Sequence, residues 1–255
     1  MPVSEWEEET EAALAAAATE GGNGDTKRVY VRRIFSQIAP RYDLLNHLLS
    51  FNVDKAWRRR AIATLEWRRA PDGTYVDLCT GTLDVAAELS RQPGFRGHIV
   101  GADFAEPMLR AGLGKAPRSL VGPLVADALE LPLRDDSVSG ATVAFGIRNV
   151  ADLDAALREV HRVLESSARF VILEFTTPRS AIVRALYHLY FHQILPRVGA
   201  VVSGHATAYR YLPRSVANFP AEEELAARMR SAGFADVRWQ SLTFGIAAIH
   251  SGTKR

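Results

Sequence analysis

From Thr74 onward, short apolar runs alternate with segments whose apolar residues recur at helical spacing. The runs predict strands over Thr74–Leu78, His98–Asp103, Leu120–Ala126, Gly140–Phe145 and Arg169–Phe175, with helices at Leu83–Arg91, Pro107–Gly112 and Leu153–Leu164 between them. That alternation predicts an α/β fold whose parallel sheet is covered on both faces. In such sheets a ligand lies beyond the carboxyl ends of the strands. Near the end, AEEELAARMRSAGF reads as an amphipathic helix stopped by Gly233. The closing DVRWQSLTFGIAAIHSG predicts two strands that reverse at Phe244–Gly245, which lets the last strand enter the sheet antiparallel.

The pattern breaks twice. Residues 1–25 are acidic, alanine-rich and then glycine-rich, which predicts a flexible tail. Residues 26–70 mix apolar and basic residues at helical spacing and predict a helical cap on the domain that fills 26–255. In that cap Val31, Ile34 and Ile38 share a face, Pro40 marks a break, and Leu44, Leu45, Leu48 and Leu49 begin another helix. Arg58, Arg59 and Arg60 read as a solvated face that can also meet acidic lipid headgroups. Residues of about 180–219, rich in aromatics and histidine, are long for a connection and predict a substrate-binding insertion.

Composition narrows the picture only modestly. The 255 residues suffice for one large domain, and 47% hydrophobic with 24% charged is ordinary for a globular protein. A net charge of +2 without a long basic run gives no expectation of a nucleic-acid partner. The single cysteine, Cys79, points to a reducing compartment and reads as buried and inert. Neither a signal peptide nor an apolar span of about 18 residues is visible. A cytoplasmic location is expected, with peripheral contact at the inner face of the cell membrane left open.

Candidate chemistry centres on YVDLCTGTLD, Tyr75 to Asp84. A strand ending at Asp77 runs through the small residues Cys79, Thr80, Gly81 and Thr82 into a helix, an arrangement that brings backbone N–H groups to a ligand. Asp103, at the next strand end, is placed to accept two ribose hydroxyls. Asp127 is placed to accept from an adenine amino group while the Ala128 N–H donates to the ring; a helix N-cap is the other reading. A sulfonium-bearing ligand gains from such carboxylates in a partly dry site. Arg148, in FGIRN, either stabilises a developing phenolate or pairs with one of the site's aspartates. His188 and His192 have a spacing that can bind zinc, but no further ligand lies near, so a packed role is expected and no metal.

Together IAPRYDLLNHLLSFNVDKAW, FGIRNV, LEFTTP, LPRVGAVVSGHATAYRYLPRSVANFP and GIAAIHSGTK resemble the class I, S-adenosylmethionine-dependent C-methyltransferases of ubiquinone and menaquinone biosynthesis (UbiE/MenG type), from about Lys27 to Lys254. The resemblance implies a Rossmann-like, seven-stranded, mostly parallel sheet with the last strand antiparallel and helices on both faces. It implies S-adenosylmethionine as cofactor, against Thr82, Asp103, Asp127, Ala128 and Ala144, to which the strand–turn–helix reading adds Asp77 and Gly81. It also implies a membrane-borne prenylated quinol as acceptor, with Tyr42, Asp43 and Arg148 as catalytic residues. Leu186–Leu195 would help form the channel for the prenyl tail. The family turn usually reads Gly-Gly-Thr-Gly-Asp; Thr80 and Leu83 replace two glycines, and a Cβ there is expected to crowd the cofactor. Ala144 stands where a serine is common, Asn52 where a glycine is, and Glu165–Ala168 replaces a Lys-Pro-Gly-Gly turn. Asn52 suits a left-handed backbone.

The expected reaction moves a methyl from S-adenosylmethionine to a ring carbon of demethylmenaquinol or a polyprenyl-methoxy-benzoquinol. Arg148 would stabilise the phenolate, and Tyr42 with Asp43 would place the hydroxyl or relay its proton. A methyltransferase for another hydrophobic small molecule, or a non-catalytic cofactor-binding protein, are the alternatives. Acceptor ring, tail length and oligomeric state stay open.

Overall fold

The computed structural model describes residues 24–43, 50, 52–189 and 206–255. The first helix among the described residues, α1 (Gly24–Ile38), buries Tyr30, Val31, Ile34 and Ile38 along one stripe, and Pro40 sits in the 3-10 turn Ala39–Arg41 that ends it. The helix already begins at Gly24, inside the stretch read as a flexible tail. Asn52 takes φ +60° and caps α2 (Val53–Thr64), as its tolerance of left-handed backbone predicts. Residues 44–49, expected as a helix, His192, and the part of the expected tail channel beyond Leu189 lie outside the described residues, as do the side chains of Leu186 and His188.

The core alternates as expected: β1 (Thr74–Leu78), α3 (Asp84–Ser90), β2 (His98–Asp103), α4 (Glu106–Gly112), β3 (Val121–Val125), β4 (Val138–Ala144), α5 (Leu153–Val163) and β5 (Leu164–Phe175). Helices α6 (Ala181–Leu189), α7 (Ala206–Ala217) and α8 (Glu222–Ser231) precede β6 (Phe234–Leu242) and β7 (Ala247–Lys254). Strand β5 starts earlier than the sequence predicts. Glu165–Ala168, expected as a turn, continues the strand; Ser167 takes φ +70° and the β4–β5 register shifts between Val138 and Gly140.

The seven strands lie in the order β3-β2-β1-β4-β5-β7-β6. The pairs among β1 to β5 are parallel, and β7 is antiparallel to both neighbours. Alternate residues of β5 enter different cores: Val171 and Leu173 join Trp57, Ile62 and Leu89, while Phe170 and Ile172 join Leu157, Leu225 and Met229. Burial on both faces explains why these strands read as unbroken apolar runs. The chain order reverses between β1 and β4, and a crevice opens at such a switch point.

Candidate functional site

A cleft of about 670 Å³, counted out to open solvent, lies at that switch point. Its floor is made by the turns after β1 (Cys79, Gly81), β2 (Asp103), β3 (Asp127, Ala128) and β4 (Gly146, Asn149). The cap supplies Arg28, Val31, Phe35 and Tyr42 from the opposite side.

The turn after β1 is held by the acid after β2. Gly81, at φ +57°, donates its N–H to Asp103 Oδ2 at 2.9 Å, and Ala105 donates to Oδ1 at 2.8 Å. Burial raises the Asp103 pKa, and those two donors act against the rise. A carboxylate offers about four acceptor positions, so each oxygen can take a further donor. A Cβ on Gly81 would stand 3.3 Å from Met108 Cε and 3.8 Å from Tyr42 Cε1, both cleft residues. Glycine therefore leaves open the surface where a ligand can approach the backbone.

Leu83 corrects one expectation. It takes φ +65° as the residue before α3, as a glycine would, but its side chain turns into the core and is 3% exposed. It is accommodated by glycines elsewhere: a Cβ on Gly101 would fall 2.4 Å from Leu83 Cδ2, and one on Gly112 3.0 Å from Cγ. Leu83 thus bears a left-handed backbone cost without crowding the cleft. Thr80 likewise points its hydroxyl down, to Asp77.

Asp77 lies beneath the turn and is not a cleft residue. It accepts from the Thr80 and Thr142 hydroxyls, the latter at 2.9 Å, and burial pushes its pKa up to about 6. The unfolded chain therefore releases this proton first, and the Asp77 contribution to stability falls as pH rises from about 4 to about 6. The total is about 3 kcal/mol for a shift of roughly two units. We expect Asp77→Asn to flatten that slope in urea unfolding followed between pH 4 and 7; an unchanged slope would assign it to another group.

Asp127 does both less and more than expected. Its Oδ1 accepts from Leu129 N–H at 2.9 Å, a turn rather than a helix cap, and its Oδ2 pairs with Arg28 of α1 at 2.5 Å. Thr82 is buried and donates to Asp43 Oδ1 at 2.5 Å. Ala144, at the end of β4, is half-buried and packs against the core. Cys79, expected to be buried, is half-buried on the cleft floor at φ +47°, with its thiol pushed well above its ordinary pKa by desolvation and nearby carboxylates.

The residues expected to face the acceptor separate. Tyr42 lines the cleft, its ring edge-on to Phe35 with centroids 5.9 Å apart. Asp43 instead joins Thr82 and Lys115. Arg148 stands behind the cleft wall: its Nη1 donates to Glu174 Oε1 at 2.7 Å and to the Phe145 carbonyl at 2.5 Å, and its Nε to Ser215 Oγ at 3.2 Å. Arg148 and Glu174 are both buried, and the arginine's partner is Glu174 rather than a site aspartate. Arg58 corrects the solvated-face reading too, being 8% exposed and paired with Asp54 and Asp84, whereas Arg59 and Arg60 are exposed.

Sequence reasoning missed Arg28, Lys27 and Glu174. Lys27 Nζ donates to the carbonyls of Arg148 at 3.1 Å and Val150 at 2.7 Å, tying the cap to the turn after β4. Asn149 of that turn accepts from Tyr211 of α7 at 3.1 Å. Glu174 left one trace in the sequence, a lone acid in the apolar run FVILEF.

The strand order with its antiparallel β7, the glycine turn after β1 and the buried acid after β2 define a class I S-adenosylmethionine-dependent methyltransferase. Residues 23–254 match the model of the ubiE/COQ5 methyltransferase family, and the chain belongs to that family. It is 51% identical over 224 residues to the demethylmenaquinone methyltransferase of Thermus thermophilus, covering 87% of this chain and 100% of that protein. Over 228 residues it is 46% identical to the ubiquinone/menaquinone biosynthesis C-methyltransferase UbiE of Geobacter sulfurreducens, covering 88% of each. Among solved structures, a possible histamine N-methyltransferase from Thermotoga maritima shares the fold at a TM-score of 0.62 and 20% identity, over 88% of this chain and 99% of that one.

Proposed function

We propose that the chain transfers the methyl of S-adenosylmethionine to a ring carbon of a prenylated hydroquinone, with demethylmenaquinol the favoured acceptor. The observation that carries this reading is that the strand-end turns with the buried carboxylate of Asp103 share one cleft with an aromatic cap, whose Tyr42 stands close to Gly81. The names borne by the Thermus and Geobacter relatives support a quinol acceptor, and the Thermus name supports the naphthoquinol.

The residues present fit the cofactor. Asp103 keeps acceptor capacity for ribose hydroxyls, Gly81 leaves the backbone open, and Asp127 and Ala128 line the far part of the cleft, where the adenine would lie beside the Arg28–Asp127 pair. Bound there, S-adenosylmethionine supplies an electrophilic methyl on a sulfonium. Tyr42 orients the acceptor hydroxyl and relays its proton to a water, which leaves the ring as its phenolate and raises its electron density. The carboxylate of Asp43 is held by Thr82 and Lys115, so its part is to place Tyr42. Arg148, turned to Glu174, fixes the wall formed by residues 145–149. Alignment of methyl and ring carbon then supplies most of the acceleration.

No described helix is long and apolar enough to cross a membrane. Peripheral contact is consistent with Ile182 (75% exposed) and Phe244 (82% exposed) beside the exposed Arg179 and Arg184. The backbone by Phe244 meets that of Pro178, close to the start of α6. Serine at both apolar positions is expected to weaken binding to anionic vesicles severalfold in flotation, and unchanged binding would remove this surface from the reading. The function itself is tested by incubating the purified protein with S-adenosylmethionine and either demethylmenaquinol or a benzoquinol. Methylated naphthoquinol is expected; transfer only to the benzoquinol would reassign the acceptor.

A further inference from the structure

We infer that Lys115 is a positioning residue for the acceptor end of the cleft, acting through Asp43 on Tyr42. The inference rests on the reading of Tyr42 as the residue that meets the quinol. Lys115 lies beyond α4, outside every segment that carried the family resemblance, and does not line the cleft. Its ammonium contacts two carboxylates, Asp43 Oδ2 at 2.5 Å and Asp84 Oδ1 at 2.6 Å. The first belongs to the cap and the second opens α3, so one cation ties the cap to the helix that follows the cofactor turn. All three side chains are mostly shielded, at 24%, 33% and 21% exposure, where screening is weaker than on an open surface.

The connections continue on both sides. Asp43 Oδ1 accepts from Thr82 inside the cofactor turn, so each of its two oxygens has its own partner and the side chain that anchors residues 42–43 is held at both. Asp84 Oδ2 meets Arg58 of α2 at 3.5 Å; Arg58 pairs with Asp54, which accepts from Ser50 at 2.5 Å. Tyr42 is the immediate neighbour of Asp43, and its ring stands over Gly81. A displaced Asp43 therefore displaces the aromatic that faces the acceptor, while Asp103, held by its own two backbone N–H groups, stays in place.

Removing the ammonium has a directional consequence. Asp43 and Asp84 would confront each other without the cation between them, and like charges at that range repel. The cap would be pushed from the cofactor turn rather than merely loosened. Lysine suits the place because a compact ammonium can donate to two carboxylates at once.

The test is a double-mutant cycle on Lys115→Met and Asp43→Asn, with acceptor kcat and KM, S-adenosylmethionine Kd and hydrogen exchange at residues 42–43 as readouts. Each single change is expected to lower kcat/KM for the quinol about tenfold and to speed exchange at residues 42–43, with cofactor Kd moving less than threefold. The double variant should be no worse than the poorer single one, and Lys115→Arg should recover most of the loss. Multiplicative losses in the double variant, or a cofactor Kd that rises in step with the loss of activity, would overturn the inference. Exchange needs no acceptor: if the quinol itself is wrongly assigned, wild-type turnover fails while the exchange change persists, whereas unchanged exchange in Lys115→Met overturns the positioning role. Should Lys115→Met not fold, Asp43→Asn alone decides, since unchanged quinol kcat/KM there overturns it.

Discussion

Arg148→Ala is expected to cost about 3–5 kcal/mol of folding stability, because it leaves the Glu174 carboxylate buried without its cation. Burial already raises the Glu174 pKa, and the guanidinium is the largest opposing influence. The same change should abolish methyl transfer, since the turn at 145–149 would lose the guanidinium's bonds to the Phe145 carbonyl, to Glu174 Oε1 and to Ser215 Oγ. Urea unfolding of Arg148→Ala against the pair Arg148→Met with Glu174→Leu separates the two effects. The apolar pair should recover much of the stability yet stay inactive. Recovery of turnover by that pair would show that the ion pair only maintains the fold, and full stability of Arg148→Ala would show that Glu174 finds another partner.

The second large effect falls on the cofactor. Asp103→Ala is expected to weaken S-adenosylmethionine binding by about a hundredfold or more, since hydrogen bonds to a charged group are worth roughly 1.5–3 kcal/mol each and the residue can accept two from a ribose. It also strands the N–H groups of Gly81 and Ala105, which now end on this carboxylate, so the turn after β1 should become mobile. Asp103→Asn keeps an acceptor and should sit between alanine and wild type. Calorimetry reads the series directly. A Kd within threefold of wild type for Asp103→Ala would move the ribose elsewhere.

The sheet was legible because its inner strands are buried on both faces. Apolar runs such as Ile99–Val100 and Phe170–Leu173, and a β1 broken only by the buried Asp77, leave few other structures open to them, and β1 and β2 fall where predicted. Asn52 was legible for a local reason, its tolerance of positive φ. Asp103 was legible from its place at a strand's carboxyl end.

Side-chain direction and long reach were not legible. Leu83 is left-handed as the family glycine would be, but only the neighbouring glycines at 101 and 112 decide that its side chain goes inward. Arg28 and Lys115 drew no reading at all, because their partners Asp127 and Asp43 are distant in sequence and are brought near only by topology; Arg58 read as solvated because Asp84, which shares it with Asp54, is equally distant. Arg148 illustrates both cases. FGIRN marked the right turn, yet the acid that orients it, Glu174, comes from the next strand of the sheet.

The most direct measurement is the position of a labelled methyl group after reaction of the purified protein with methyl-labelled S-adenosylmethionine and demethylmenaquinol. A single label on a ring carbon, lost in Asp103→Ala, is the predicted result. Label on a hydroxyl oxygen, or cofactor bound in the cleft with no transfer to any quinol, would contradict it.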